Sequence, residues 1–169
     1  MKTLLTALLT IFITFSVQAQ HSQTHGHPEH LETLVGEYLN MKNSLISDEL
    51  ESAQTHLRAF SEEVKNSVEM NDHEEHSEQH DMHHGSMTEA VKHAERADDI
   101  ETFRLAFKKI SEQLLTALEN QGYEGVLYKQ YCPMYEGGSN WISDSEEIAN
   151  PFYGSQMHNC GETVEKIDS

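Results

Sequence analysis

Basic residues are scarce in this sequence. Eleven Lys and Arg stand against 29 Asp and Glu, which gives the chain a formal net charge of −18 at pH 7. Because phosphate backbones are bound by clustered Lys and Arg, we exclude nucleic acid as a partner. An acidic surface attracts cations instead, and the twelve histidines of the chain add imidazole ligands for metal ions.

Catalytic motifs are also lacking. The sequence contains no P-loop, no G-x-S-x-G nucleophile motif, no H-E-x-x-H zinc motif and no dinucleotide-binding glycine fingerprint. Ser, His and Asp are abundant, but no spacing groups them into a catalytic set. We therefore expect a binding protein and not an enzyme.

Long apolar runs are absent after the N-terminus. Lys2 precedes an apolar run at residues 4–17, and Val17-Gln18-Ala19 offers small side chains at the positions a signal peptidase reads. The run is shorter than the roughly 20 residues that cross a bilayer. We expect residues 1–19 to be a cleaved signal peptide, so that the protein is periplasmic or otherwise exported. The mature chain should begin at Gln20 and have no membrane span.

The rest of the chain is predicted to form one mostly α domain. Residues 20–30 are His-rich and have few apolar side chains to pack, so we expect a disordered arm. Apolar spacing predicts helices from residue 31, from a capping box at Asp48, over 86–97, and over 100–121. We expect residues 31–165 to form an antiparallel bundle of about four helices.

The C-terminal part is predicted to be an irregular cap on this bundle. Residues 126–131 favour a short strand, Gly137-Gly138 indicates a turn, and Ser143 with Glu146 indicates one helical turn. Aromatic residues are dense in this segment, so we expect it to fold back onto the helices.

Residues 69–85 form an acidic, His-rich insertion with no basic residue. Its histidines lie three or four residues apart, apart from one adjacent pair, which would place them on one face of a continued helix. Beside carboxylates, such a set holds zinc, Cu(II) or nickel with modest affinity. We expect secondary metal ligands at His73, His76, His80, His83 and His84.

Both cysteines have a methionine close by. Cys132 lies two residues before Met134, and Met157 lies three residues before Cys160. Thiolate and thioether are soft ligands that select Cu(I), so these four residues are the predicted main metal site. An exported protein with two cysteines most often has one disulfide, so a structural Cys132–Cys160 bridge stays open as an alternative.

Several short motifs resemble the domain of unknown function 3347 family, a group of exported bacterial domains. They are Tyr38-Leu39-x-x-Lys42-x-Ser44-Leu45, Arg104-x-x-Phe107-x-x-Ile110-Ser111, Tyr131-Cys132-Pro133-Met134, Trp141-Ile142-Ser143, Ile148-x-Asn150-Pro151-Phe152-Tyr153-Gly154 and Met157-x-x-Cys160-Gly161. Members occur alone or attached to periplasmic adaptor proteins of heavy-metal efflux pumps. The resemblance covers residues 31–165 and implies a helical bundle with a copper-linked role in the envelope. It also implies an efflux adaptor or pump as partner.

Three functional hypotheses follow from the sequence. The first is a copper-binding protein of the envelope that is accessory to heavy-metal efflux or resistance. The second is a zinc or nickel buffer that uses the histidines of residues 69–85. The third is an interaction module that has a structural Cys132–Cys160 disulfide and binds no metal.

Overall fold

The computed structural model describes the backbone of residues 27–71 and 77–168, and the side chains of residues 29–66 and 85–168. Within these ranges the chain forms four helices, α1 (His27–Ile46), α2 (Leu50–Asn71), α3 (Ser77–Glu95) and α4 (Ile100–Gln121). Three strands follow, β1 (Val126–Cys132), β2 (Ser139–Ser143) and β3 (Glu162–Asp168). The predicted signal peptide lies outside the described residues.

The helices pack against their neighbours in sequence as antiparallel pairs. His30 near the start of α1 bonds Glu63 in the second half of α2, and Glu37 bonds His56 one turn into α2, with the His56 Nδ1 to Glu37 Oε2 distance at 2.8 Å. Since α2 also packs on α3 and α3 on α4, the expected four-helix arrangement is confirmed. None of the described helices is both long and apolar enough to cross a membrane.

Helix α4 is the centre of the core, as its apolar pattern predicts. Asp99 caps its N-terminus by accepting a hydrogen bond from the Thr102 amide at 2.8 Å. Gly122 ends it with a φ of 75° and donates to the Leu118 carbonyl. Phe107 in the middle of its apolar face is fully buried and stacks on Tyr38 of α1, with ring centroids 4.8 Å apart.

Other helix boundaries differ from the sequence-based expectation. Helix α1 begins at His27, so the last four residues of the predicted His-rich arm are helical. Helix α3 begins at Ser77 and not at Ser86, so it includes part of the acidic insertion. The predicted capping box at Asp48 is wrong, because this carboxylate bonds Arg104 of α4 and the Ser155 amide instead.

The cap contains more regular structure than predicted. Strand β1 lies between β2 and β3 in a three-stranded antiparallel sheet, with a register shift at Lys129/Gln130. The predicted short strand is therefore confirmed as β1, but its two partners were missed. The helical turn predicted at Ser143 is wrong, because Ser143 ends β2 and pairs with Tyr128. Its hydroxyl accepts a hydrogen bond from the buried Lys42 ammonium at 3.2 Å.

A short hydrogen-bond chain joins the cap to the bundle through Tyr38. The Ile142 amide of β2 donates to the Tyr38 hydroxyl at 3.1 Å, and Ser111 of α4 donates to the Phe107 carbonyl at 2.9 Å. The Tyr38 hydroxyl therefore donates to Ser111 Oγ, 2.7 Å away. Burial raises the pKa of Tyr38 well above its usual range, so this phenol keeps the proton that it donates.

Arg104 of α4 makes a second connection between the bundle and the cap. Its guanidinium is buried, with Nη2 donating to the Leu45 carbonyl at 3.0 Å and Nε donating to the Pro151 carbonyl at 3.0 Å. It also pairs with Asp48 at 2.5 Å and with Glu101 at 2.8 Å. One side chain therefore holds together α4, the α1–α2 link and the segment before β3.

Candidate metal centre

The two cysteines are brought together by the pairing of β1 with β3. Cys132 is the last residue of β1, and Cys160 lies two residues before β3 begins. Because Tyr131 pairs with Glu162, the chain places Cys160 beside Cys132 although the two are 28 residues apart. Their Sγ atoms lie 2.9 Å apart, and both cysteines are free thiols.

The two thiols differ in their access to solvent. Cys132 is completely buried, whereas Cys160 is partly exposed. Trp141, also fully buried, lies against Gly161 next to Cys160. A Cβ at Gly161 would lie 2.7 Å from the Trp141 ring and 2.8 Å from the Tyr131 carbonyl, so only glycine allows this close passage of the chain.

Asn150 fixes the segment that carries Cys160. Its side-chain amide donates to the Cys160 carbonyl at 2.6 Å, and its backbone amide donates to the His158 carbonyl at 2.8 Å. Its side-chain oxygen accepts from the Phe152 amide at 2.8 Å. Asn150 is completely buried, and each of these bonds satisfies a polar group that would otherwise be costly there.

The proximity of the two sulfurs changes their acid–base chemistry. The hydrogen bond with Cys132, followed by burial and the charge of the Cys132 thiolate, raises the pKa of Cys160 to about 11. Cys160 is therefore protonated near neutral pH. Since the thiolate is the form that binds metals, a soft cation must displace this proton when it binds. The pKa of Tyr153, whose phenol lies near the pair, is also raised. Burial is the main cause, and the charges of Cys132 and Cys160 come next.

The two predicted methionine ligands lie at the surface and are close to the pair in the sequence. The side chain of Met134 is 61 % exposed and that of Met157 is 38 % exposed. Each methionine lies two or three residues from a cysteine in the sequence, and its backbone carbonyl accepts a hydrogen bond from a neighbouring group. The Met134 carbonyl accepts from the Tyr153 hydroxyl at 3.2 Å, and the Met157 carbonyl accepts from the Cys160 amide at 3.2 Å. The structure thus brings the two cysteines into contact and leaves both thioethers open to solvent.

The secondary site predicted in the acidic insertion lies outside the described residues. His73 and His76 fall in residues 72–76, and of the other three histidines only the backbone, within α3, is described. Among the residues that are described, no group of three or more His, Cys, Asp or Glu side chains could hold a metal ion. The cysteine pair, with two such side chains, is smaller than such a group.

Sequence reasoning missed the residues that position the pair. Asn150 and Gly161 stand only in the motifs of the family resemblance, and the sequence predicts no structural role for either. The available signal was the Asn150-Pro151 step, because asparagine before proline often starts a turn in which its side chain bonds nearby amides.

The helices match a known protein family. The family model described as "Protein of unknown function (DUF3347)" matches residues 34–124, just over half of the 169-residue chain. The chain belongs to the DUF3347 family. No curated protein and no solved structure matches it.

The DUF3347 match confirms the family that the sequence motifs indicate, and it covers most of α1 and all of α2, α3 and α4. It ends at residue 124, before β1 begins at Val126. The cysteine pair therefore lies beyond the matched part, in the cap that Tyr38 and Arg104 join to the DUF3347 helices.

Proposed function

We propose that this protein binds Cu(I) in the cell envelope, as an accessory to heavy-metal efflux or resistance. Cys132 and Cys160 supply two thiolates, and Met134 and Met157 supply accessory thioethers. The observation that carries the proposal is the 2.9 Å separation of two free cysteine sulfurs that are far apart in the sequence.

The donor set favours a soft monovalent ion. Thiolates and thioethers select Cu(I), whereas carboxylate and carbonyl oxygens suit magnesium and calcium. Structural zinc sites use four Cys, His or carboxylate ligands, and the described residues around the pair provide only the two thiols. Both methionines are exposed, so packing in the core does not hold their thioethers in place.

The envelope location and the efflux partner are supported by the sequence. The apolar run at residues 4–17 and the Val17-Gln18-Ala19 site are typical of a signal peptide. The motifs shared with domains attached to efflux adaptor proteins motivate the choice of partner. The acidic surface, with a net charge of −18, attracts cations to the site.

Competition titration with a Cu(I) chelator tests the metal site on fully reduced protein. The background should be a variant in which the five histidines of residues 69–85 are glutamine, so that the predicted secondary ligands are removed. Cys160→Ser and Cys132→Ser should each abolish tight binding, because the thiolate is the main ligand. Unchanged affinity in both serine variants would refute the site.

Methionine substitutions separate the thioether contribution from any effect on folding. Met134→Leu should weaken Cu(I) binding while leaving the unfolding transition unchanged. Met41→Leu is the matched control, since Met41 is completely buried in α1 and the same change there removes a thioether from the core. If both substitutions weaken binding equally, Met134 is not a ligand.

The same titration separates the rival functions. If reduced protein binds no Cu(I) when the five histidines of residues 69–85 are glutamine, a structural disulfide between Cys132 and Cys160 takes the place of the metal site. If zinc or nickel binding is lost with the five histidines and Cu(I) binding is not observed, the histidine buffer is the function.

A further inference from the structure

The two cysteine sulfurs lie nearly at disulfide distance, although no disulfide bond holds them there. A disulfide bond is about 2.05 Å long, and the two free sulfurs are 2.9 Å apart. The sulfurs therefore need to approach by less than about 1 Å, which side-chain rotation can provide. Bond formation then requires no rearrangement of the strands.

The backbone around the pair is held by contacts that do not involve the sulfurs. The β1–β3 ladder pairs Tyr131 with Glu162, and the Asn150 side chain holds the Cys160 carbonyl at 2.6 Å. The reduced protein therefore keeps the thiols together, and the oxidised protein keeps the same strands. Two chemical states of the pair are compatible with one fold.

We propose that Cys132 and Cys160 form a thiol–disulfide switch that controls the metal site. The dithiol state binds Cu(I), and the disulfide state does not, because a disulfide sulfur carries no thiolate charge for the metal. The metal half of this inference rests on the function proposed above. The oxidant is a small disulfide, or a protein disulfide of the oxidising compartment to which the chain is exported.

The oxidation proceeds by two exchanges with a disulfide of formula RSSR. The Cys160 thiolate attacks one sulfur, which forms a Cys160–SR mixed disulfide and releases the first RS⁻, protonated to RSH by the proton that Cys160 lost. The Cys132 thiolate then attacks Cys160 Sγ, which forms the Cys132–Cys160 bond and releases the second RSH. Two thiols are oxidised and one RSSR is reduced.

The difference in burial assigns the order of these steps. Cys160 is partly exposed and meets the incoming disulfide, whereas Cys132 is completely buried and reaches only its neighbour. Cys160 is therefore the residue that reacts first, and Cys132 is the one that resolves the mixed disulfide. Access decides this order, since the raised pKa of Cys160 leaves only a small thiolate fraction near neutral pH and makes the first step slow.

Oxidised glutathione, followed by intact mass and a count of free thiols, tests the switch. Wild-type protein should lose both thiols, become lighter by two hydrogens and carry no glutathione. Cys132→Ser should retain one glutathione on Cys160. Cys160→Ser should react at least about tenfold more slowly than Cys132→Ser, because thiol oxidation follows exposure. In urea the two variants should react at similar rates, which shows that the fold causes the difference.

Two results would overturn the switch. One is accumulation of a stable glutathione adduct on the wild-type protein, which would mean that Cys132 does not resolve it. The other is equal reaction rates of the two serine variants in the folded state, which would contradict the assigned order.

Cu(I) titration of reduced, oxidised and re-reduced protein tests the link to the metal. Oxidation should lower the affinity by at least about a hundredfold, since the thiolate is the metal ligand, and reduction should restore it. Copper binding by reduced protein, together with failure of glutathione to close the disulfide, would overturn the switch and leave the proposed function standing. Disulfide closure in a protein that binds no Cu(I) when reduced would refute the proposed function and the metal control together.

Discussion

Replacing Arg104 with methionine tests whether this guanidinium holds the cap on the bundle. Arg104 is 1 % exposed and donates to two backbone carbonyls, Leu45 and Pro151, each at 3.0 Å. Methionine fills a similar volume with a flexible apolar chain, so the change removes the donors and leaves little cavity.

The expected loss of stability depends on whether each group that Arg104 bonds finds another partner or water in the variant. A buried acceptor left unsatisfied costs about 1–3 kcal/mol, and this applies to the Pro151 carbonyl. The Leu45 carbonyl loses less, because it still accepts a hydrogen bond from the Asp48 amide at 3.3 Å. Asp48 and Glu101 have side chains 36 % and 60 % exposed, so water solvates their carboxylates and the loss of these ion pairs adds little. We therefore expect Arg104→Met to lower the free energy of unfolding by about 1–3 kcal/mol.

Urea unfolding measures this change, with the midpoint moving and the slope staying constant if the unfolded state is unaffected. Arg58→Met is the matched control, because Arg58 is exposed on α2 and should change stability by less than about 0.5 kcal/mol. A change below about 1 kcal/mol for Arg104→Met would show that other contacts hold the cap.

Lowering the pH provides an independent test of the Arg104–Asp48 interaction. The pKa of Asp48 is lowered, first by its hydrogen bond with Ser155 and then by its hydrogen bond with Arg104. Because the folded pKa lies below the unfolded value of about 3.9, Asp48 stabilises the fold above that pH and loses this contribution as the pH falls through the lowered value. The stability difference between wild type and Arg104→Met should therefore shrink only slightly below about pH 4, because the Asp48 ion pair is a small part of it and the hydrogen bond from Ser155 remains in the variant.

Three further predictions test other parts of the molecule. Phe107→Ala should lower the free energy of unfolding by about 3–5 kcal/mol, because Phe107 is fully buried in the core, and a urea unfolding change below about 1 kcal/mol would contradict this. Intact mass of protein recovered from the envelope should give a chain that begins at Gln20, and a mass that includes residues 1–19 would contradict export by cleavage. Equilibrium uptake of zinc or Cu(II) should fall sharply between about pH 7 and pH 5, since protons compete for imidazole. Most of this uptake should be absent, with helix content unchanged by circular dichroism, when glutamine replaces His73, His76, His80, His83 and His84.

The helices could be predicted from sequence because their signals are local. Helix α4 has an apolar residue every three or four positions, a capping Asp99 and a terminating Gly122, and all three features are in place in the structure. The apolar pattern could not predict that Arg104 is buried, because a charged residue near an apolar stripe is usually solvent-exposed. Its backbone acceptors are the carbonyls of Leu45, at the end of α1, and of Pro151, which are distant in sequence.

The sheet was only partly predictable because two of its strands lack a strand pattern. Strand β2 has the sequence SNWIS, which is short and polar at both ends, and β3 has the sequence ETVEKID, which is largely charged and exposed. Their conformation depends on pairing with β1, which contributes long-range hydrogen bonds. The cysteine pair could be proposed from residue types, but its 2.9 Å contact depends on the β1–β3 register, which no local pattern reveals.

The contacts connect the family helices to the cysteine pair in one short path. Arg104 of α4 donates to the Pro151 carbonyl, and the preceding residue, Asn150, donates to the Cys160 carbonyl. The DUF3347 helices therefore position Cys160 through two adjacent residues of the cap, although the matched part ends before either cysteine. Because the path contains no sulfur, oxidation or metal binding at the pair can change its chemistry while the bundle keeps the strands in register.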